Sequence, residues 1–205
     1  MKVTRFTQSC LLIEDDDSRI VIDPSGEEVG NNFGKLDAVL YTHEHSDHFD
    51  PELTMQFMGQ GIPVYANDST AKQISSQPNI VKDGQEVEIG SFKIKIIELP
   101  HCPMPDGSAG PQNVGYLINK KLFHPGDGKE LVGLQVDNLA WPITGPDISP
   151  RDAFDFAKQV AAKLVIPIHY DVLGANPERY QFFIERFKFP FKMKVLANGE
   201  SIDLK

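Results

Sequence analysis

The chain has 205 residues, 40% hydrophobic and 24% charged, the makeup of one soluble globular domain spanning 1–205. Twenty basic against 29 acidic residues give a net charge of −9, and the five arginines are scattered, which argues against nucleic acid or an anionic membrane as partner. No apolar run reaches the length of a membrane span, the N-terminus lacks a signal-peptide core, and Cys10 and Cys102 show no disulfide-framework spacing, so the expected location is the cytoplasm.

In chain order the first half reads as strands over 2–9, 10–14 and 18–24. The acidic turn 15–18 lacks the later oxygen ligands of a calcium loop. A mostly apolar strand, "LDAVLYT" (36–42), runs straight into "HEHSDH" (43–48). A helix over 50–59 follows, with Asp50 as N-cap and Pro51 in first position. Next come a strand over 62–67, a short helix over 68–76, and strands over 85–90 and 92–100. In the last of these, Phe92, Ile94 and Ile96 alternate with Lys93 and Lys95. Residues 113–127 predict a hairpin turning at 119–121. A helix over 149–164 has Ser149 as cap, Pro150 first, and Ala153, Phe156, Ala157, Val160 and Leu164 at helical spacing. A buried-type strand, "LVIPIHY" (164–170), precedes a helix over 176–187 that opens with Asn176 and Pro177. Strands first and helices between and after predict a layered α/β domain.

The stretch 43–48 holds three of the six histidines. His43 and His45 lie two apart on an extended chain and point to one side, with Asp47 continuing that side and His48 following as the chain turns. Imidazoles and a carboxylate brought together are the donor set of zinc, manganese and iron. Three further strand ends supply matching groups: His101 after "IELP", Asp127 in "HPGD", and His169 in "IPIH". Five histidines and two aspartates exceed one tetrahedral site and fit two ions.

These residues, in this order and at these intervals, resemble the metallo-β-lactamase superfamily of hydrolases. Asp23 in "IVIDP" matches the aspartate that this family carries after an early strand. The resemblance covers essentially the whole chain. It is nearest to the small metal-dependent hydrolases that include the ascorbate-6-phosphate lactonase, which share a start like "TRFTQSCLLIE" and an end like "VIPIHY". It implies a four-layer αββα sandwich with the metal site at the rim of the two sheets. It further implies His43, His45 and His101 on one divalent ion, Asp47, His48 and His169 on a second, and Asp127 bridging them. Asp23 would accept a hydrogen bond from a ligand imidazole and fix its orientation. The ions, zinc first and manganese or iron as alternatives, would hold a bridging hydroxide that attacks a carbonyl or phosphoryl centre. Asp47 would orient that nucleophile or pass its proton to the leaving group. One departure is Gly128, where many relatives carry Thr after the bridging aspartate.

Other residues read more plainly. His124 is an ordinary strand histidine before it is a substrate contact, and Cys102 a small buried or loop residue before it is a thiolate ligand. Glu44 alternates away from His43 and His45 and is solvated or bonded to backbone. Trp141 either lines the pocket mouth or packs at the sheet end. Tyr170 and Asp171 are near the site by adjacency to His169 alone. The expected function is cleavage of a small ester, lactone or phosphoester. The alternatives are a nuclease-type phosphodiesterase and a non-catalytic metal-binding or sensor domain. The sequence leaves a homo-oligomer open.

Overall fold

Apolar residues that alternate along single strands divide between separate cores, and this division builds the layers. In the computed structural model, which describes residues 1–205, Leu11 and Ile13 of β2 (Leu11–Asp15) face one core and Leu12 another. Ile20 and Ile22 of β3 (Ser18–Ile22) likewise oppose Val21.

Two seven-stranded sheets result. The first contains β1 (Lys2–Arg5), β2, β3, β4 (Ala38–Leu40), β5 (Val64–Ala66), β6 (Asn79–Ile80) and the C-terminal β14 (Ser201–Asp203), in the order β14-β1-β2-β3-β4-β5-β6. The second contains β7 (Glu86–Ile89), β8 (Phe92–Glu98), β9 (Val114–Ile118), β10 (Leu122–His124), β11 (Asn138–Pro142), β12 (Leu164–Ile168) and β13 (Lys192–Met193), in the order β13-β12-β11-β10-β9-β8-β7. Each sheet is antiparallel at one side and parallel at the other, with β3 to β6 and β10 to β13 forming the parallel parts. The inner faces meet in one core: Ile94 and Ile96 from β8, Tyr116 and Ile118 from β9, and Ile166 and Ile168 from β12 pack against Leu11, Ile13, Ile20 and Ile22.

Helices cover the outer faces. Leu53 and Phe57 of α1 (Pro51–Gly59) join Leu12, Val21 and Val39. On the second sheet, α3 (Pro150–Gln159) and α4 (Pro177–Phe187) pack Phe154, Phe156, Tyr180 and Ile184 against Trp141 and Val165. The expected four-layer αββα sandwich is the architecture observed. Asp50 caps α1 by accepting from Leu53 N at 2.7 Å. Ser149 and Asp152 form a reciprocal capping box on α3. Asn176 caps α4 by accepting from Glu178 N at 2.8 Å.

The structure also differs from the sequence reading. The helix expected over 149–164 stops at Gln159: Ala161 takes a left-handed conformation (φ 49°), and Leu164 opens β12, paired in parallel with β11. Leu164 fits the helical period from Val160, but the apolar run it begins is claimed by the sheet. The helix over 68–76 contracts to α2 (Asp68–Ala71), because no apolar stripe extends it. The strand over 2–9 ends at Arg5, with Gln8 in a turn at φ 55°. Trp141 is core and not pocket mouth: it is fully buried, its Nε1 donates to Ala153 O at 2.8 Å, and Phe154, Tyr180 and Phe191 meet its ring edge-on.

Candidate metal centre

The predicted residues converge at one rim, each lying just beyond a strand end. Asp23 follows β3 and Thr42 lies beyond β4; these strands are parallel neighbours with Ile22 opposite Leu40, so Asp23 and Thr42 leave the sheet side by side. His101 follows β8, Asp127 follows β10, and His169 follows β12. This is the end of a parallel sheet at which α/β folds gather polar groups. Main-chain hydrogen bonds stitch the two sheets there, from Val114 N to Thr42 O at 3.1 Å and from His169 N to Gln8 O at 2.9 Å.

The chain does not stay extended through 43–48. His48 N and Phe49 N both donate to His45 O at 2.9 Å, so the backbone coils after His45. Asp47 and His48 are thereby turned towards His169, while the His48 ring stays 4.0 Å from that of His43. Two groups form: the ligand atoms of His43, His45, His101 and Asp127 lie within 4.8 Å of one another, and those of Asp47, His48 and His169 do likewise. Asp127 stands beside both, with Oδ1 3.1 Å from His48 Nε2 and Oδ2 3.1 Å from His169 Nε2 and 3.4 Å from His101 Nε2.

The donor set fits divalent ions. Nε2 of His43, His48, His101 and His169 and Oδ1 of Asp127 are buried and make no hydrogen bond, although an orphaned buried polar atom costs about 1–3 kcal/mol. Every one of those imidazoles is anchored through its other nitrogen. His48 Nδ1 lies 2.8 Å from Asp23 Oδ2, His101 Nδ1 2.5 Å from Cys102 O, and His169 Nδ1 2.7 Å from Thr144 O. Thr42 Oγ1 donates to Asp23 Oδ2 at 2.7 Å, so it must accept from His43 Nδ1 at 3.0 Å. All four rings therefore donate from Nδ1 and turn Nε2 inward, the tautomer that a bound cation requires. Ligand atoms 2.0–2.1 Å from one tetrahedral ion stand about 3.3 Å apart, the scale of the approaches around Asp127.

Charge follows the same geometry. Burial lowers the pKa of His43, and neighbouring His48 adds to the effect. Burial also opposes protonation of His48 and His101, but the carboxylate of Asp127 outweighs it and raises them to about 9 and about 10. His169 is raised as well, burial again being overcome by Asp127 and Asp47. Asp47 and Asp127 resist burial in turn and are held below the usual carboxylate range by the histidines. The two carboxylates thus favour the charged forms of His48, His101 and His169, and those histidines in turn keep the carboxylates charged.

His43, His48, His169 and Asp127 are buried at 1% exposure or less, while His45 is half-buried and the Asp47 side chain is 28% exposed. The approach from solvent therefore passes His45 and Asp47. Backbone at Asp23 and His169 is left-handed, at φ 50° and 61°, a conformation costing about 1–2 kcal/mol for non-glycine residues and common at functional sites. A Cβ at Gly110 would lie 2.2 Å from His101 Nδ1, so only glycine lets that loop back the ring. At Gly128 a Cβ would come within 2.3 Å of Leu99 Cδ1 and 2.5 Å of its Cγ, so any larger residue there requires Leu99 to shift.

The remaining residues take plain roles. His124 donates from Nε2 to Ser9 O at 2.9 Å and accepts at Nδ1 from Gly126 N, so it is a satisfied buried histidine. Cys102 is buried, and its carbonyl rather than its thiol serves His101. Glu44 is bonded neither to backbone nor only to solvent: it accepts from the hydroxyls of Ser69 and Thr70 and ties the histidine loop to α2. Asp171 pairs with Arg5, whose guanidinium lies over the Tyr170 ring. The sequence reading missed Thr42, Gln8 and Asn113. Gln8 Nε2 donates to Asp47 Oδ2 at 2.9 Å. Asn113 Nδ2 donates to Leu99 O at 3.3 Å and Pro125 O at 2.9 Å, joining the loops that carry His101 and Asp127. No periodicity or spacing marks such residues; only Thr42, adjoining His43, had a local signal.

Comparison with known proteins places the chain in a family. Residues 2–169 match a family model described as a beta-lactamase superfamily domain. Protein Rv0786c of Mycobacterium tuberculosis is 30% identical over 184 residues, covering 86% of this chain and 87% of that protein. A UPF0173 metal-dependent hydrolase of Nanoarchaeum equitans is 29% identical over 230 residues, with the whole of both chains covered. Among solved structures, Igni18, a metallo hydrolase from Ignicoccus hospitalis, superposes with a TM-score of 0.77 at 22% identity, covering 100% of this chain and 99% of that one. By its family match, its relatives and its two-sheet fold, the chain belongs to the metallo-β-lactamase superfamily.

Proposed function

We propose that this protein is a metal-dependent hydrolase with a dinuclear centre that cleaves a small ester, lactone or phosphoester. His43, His45 and His101 would hold one ion, Asp47, His48 and His169 the other, and Asp127 would bridge them. The observation that carries this reading is the inward-facing Nε2 set, four buried imidazole nitrogens with no hydrogen-bond partner, arranged around Asp127. The name of the Nanoarchaeum equitans relative supports the reaction class. When bound, two divalent ions supply a nucleophile available near neutral pH and positive charge opposite the oxyanion that develops. Zinc suits the imidazole-rich donors, with manganese or iron as substitutes.

The chain's own residues do the rest. The Nδ1 anchors fix ring orientation before any ion arrives, and Asp23 polarises His48. Asp47, both part of the second group and open to solvent, orients the nucleophile and carries a proton towards the leaving group. A small molecule would reach the centre past half-buried His45 and the 28%-exposed Asp47 side chain. The lactone option follows the likeness to the ascorbate-6-phosphate lactonase group. With Cys10 and Cys102 free and buried, a cytoplasmic setting belongs to the same reading. The test is turnover of lactone, ester, phosphodiester and RNA substrates after chelation and metal restoration. Metal-dependent cleavage of a small substrate supports the proposal; no cleavage across the panel by the two-ion protein sinks it.

A further inference from the structure

Gln8 lies in the turn between β1 and β2, far in sequence from every proposed ligand, yet it is fully buried and adopts φ 55°. That conformation is rare for a residue with a side chain and persists only where its surroundings enforce it. Here they do so through five contacts. Gln8 N donates to Asp171 Oδ2 at 2.7 Å, and Gln8 O accepts from His169 N at 2.9 Å. Its side-chain Oε1 accepts from Asp171 N and Val172 N, each at 3.2 Å. Its Nε2 donates to Asp47 Oδ2 at 2.9 Å. Two backbone N–H groups fix which end of the amide is oxygen, so the NH₂ end must face the carboxylate. Behind this stands Arg5, 1% exposed, which pairs with the same Asp171 oxygen and lies 4.2 Å from the Tyr170 ring centroid.

The carboxylate oxygen that Gln8 holds is the one 3.1 Å from His169 Nε2. Gln8 therefore grips two members of one group: Asp47 through its side chain and His169 through its main chain. None of its hydrogen bonds reaches His43, His45 or His101. Asp47 is also the most exposed member of its group and sits in a turn. Without a restraint its side chain would have to be ordered by the ion itself, at the expense of affinity. The structure assigns Gln8 as the positioning residue of the second ion site, holding Asp47 and His169 in register so that this site, and not the first, reaches its working affinity. The inference rests on the dinuclear reading above, and it predicts an effect on one site alone.

The test is a titration of zinc into chelated protein, in competition with a chromophoric chelator, for wild type, Gln8→Met and Gln8→Glu. Gln8→Met keeps the length and removes the hydrogen bonds. Gln8→Glu keeps the acceptor for Asp171 N and Val172 N, preserving that loop, and replaces only the donor facing Asp47. The expected result is two ions in wild type and, in both variants, a second ion bound about 10–100-fold more weakly. The first ion should bind as in wild type, and adding His45→Ala should weaken it. A merely structural Gln8 would weaken both ions together, and an idle one neither; either result overturns the assignment. A wild-type chain that takes up fewer than two ions overturns the dinuclear reading along with it, and so separates the two failures.

Discussion

Asp127 turns Oδ1 to within 3.1 Å of His48 Nε2, although the two residues come from different sheets and belong to different ligand groups. Its other oxygen faces His101 and His169. One carboxylate thus touches both halves of the site, and its loss should reach both. Asp127→Ala is expected to hold at most one ion and to lose at least about 100-fold in turnover, as read by metal analysis and kinetics on any substrate the wild type cleaves. Retention of two tightly bound ions would count against the bridging role.

Asp23 makes a different prediction, because it touches no other proposed ligand but His48. It accepts from Thr42 N, Thr42 Oγ1 and His48 Nδ1, all buried. Asp23→Ala strands three donors and should destabilise the metal-free fold by about 3 kcal/mol or more, measured by urea denaturation. Asp23→Asn keeps the shape, and its main expected effect is a 10–100-fold weaker second ion.

The pH dependence of ion uptake follows from His48 at about 9 and His101 at about 10. Ligation needs neutral imidazole, so near pH 7.5 an arriving cation must displace protons, and affinity should rise with pH towards those values. The metal-free fold behaves in the opposite sense. Both histidines are raised above their unfolded value of about 6.5, so the stability they lend is complete below it and is lost as pH climbs through 9 to 10. Calorimetry of zinc binding in buffers of differing ionisation enthalpy should show proton release at pH 7.5. Binding without proton release would contradict this charge balance.

His124 separates structure from chemistry. Both ring nitrogens are satisfied within the protein, so His124→Leu should destabilise by about 1–3 kcal/mol by orphaning Ser9 O and Gly126 N. Ion stoichiometry should stay at that of wild type. A lost ion in a folded His124→Leu protein would assign this histidine to the centre after all.

What the sequence disclosed follows from the range of each signal. Alternation in 92–96 and the caps at Asp50, Ser149 and Asn176 are local patterns, and the structure bears them out. The cluster at 43–48 was visible for the same reason, but its coiling after His45 was not, since hydrogen bonds to His45 O leave no mark in composition. Leu164 shows the reverse case: a helical spacing that was accidental, overridden by pairing with Asn138 across parallel strands. Gln8 was illegible because its neighbours are 39 and 163 residues away. A single amide in a polar turn acquires its place only when the two sheets close.

The central claim is that two groups of residues around Asp127 each hold an ion. Its most direct test is metal analysis of zinc-reconstituted, exhaustively dialysed wild-type protein, with protein concentration from amino-acid analysis. The account predicts two ions per chain, falling to one in Asp47→Ala; a wild-type value of one or none would contradict it.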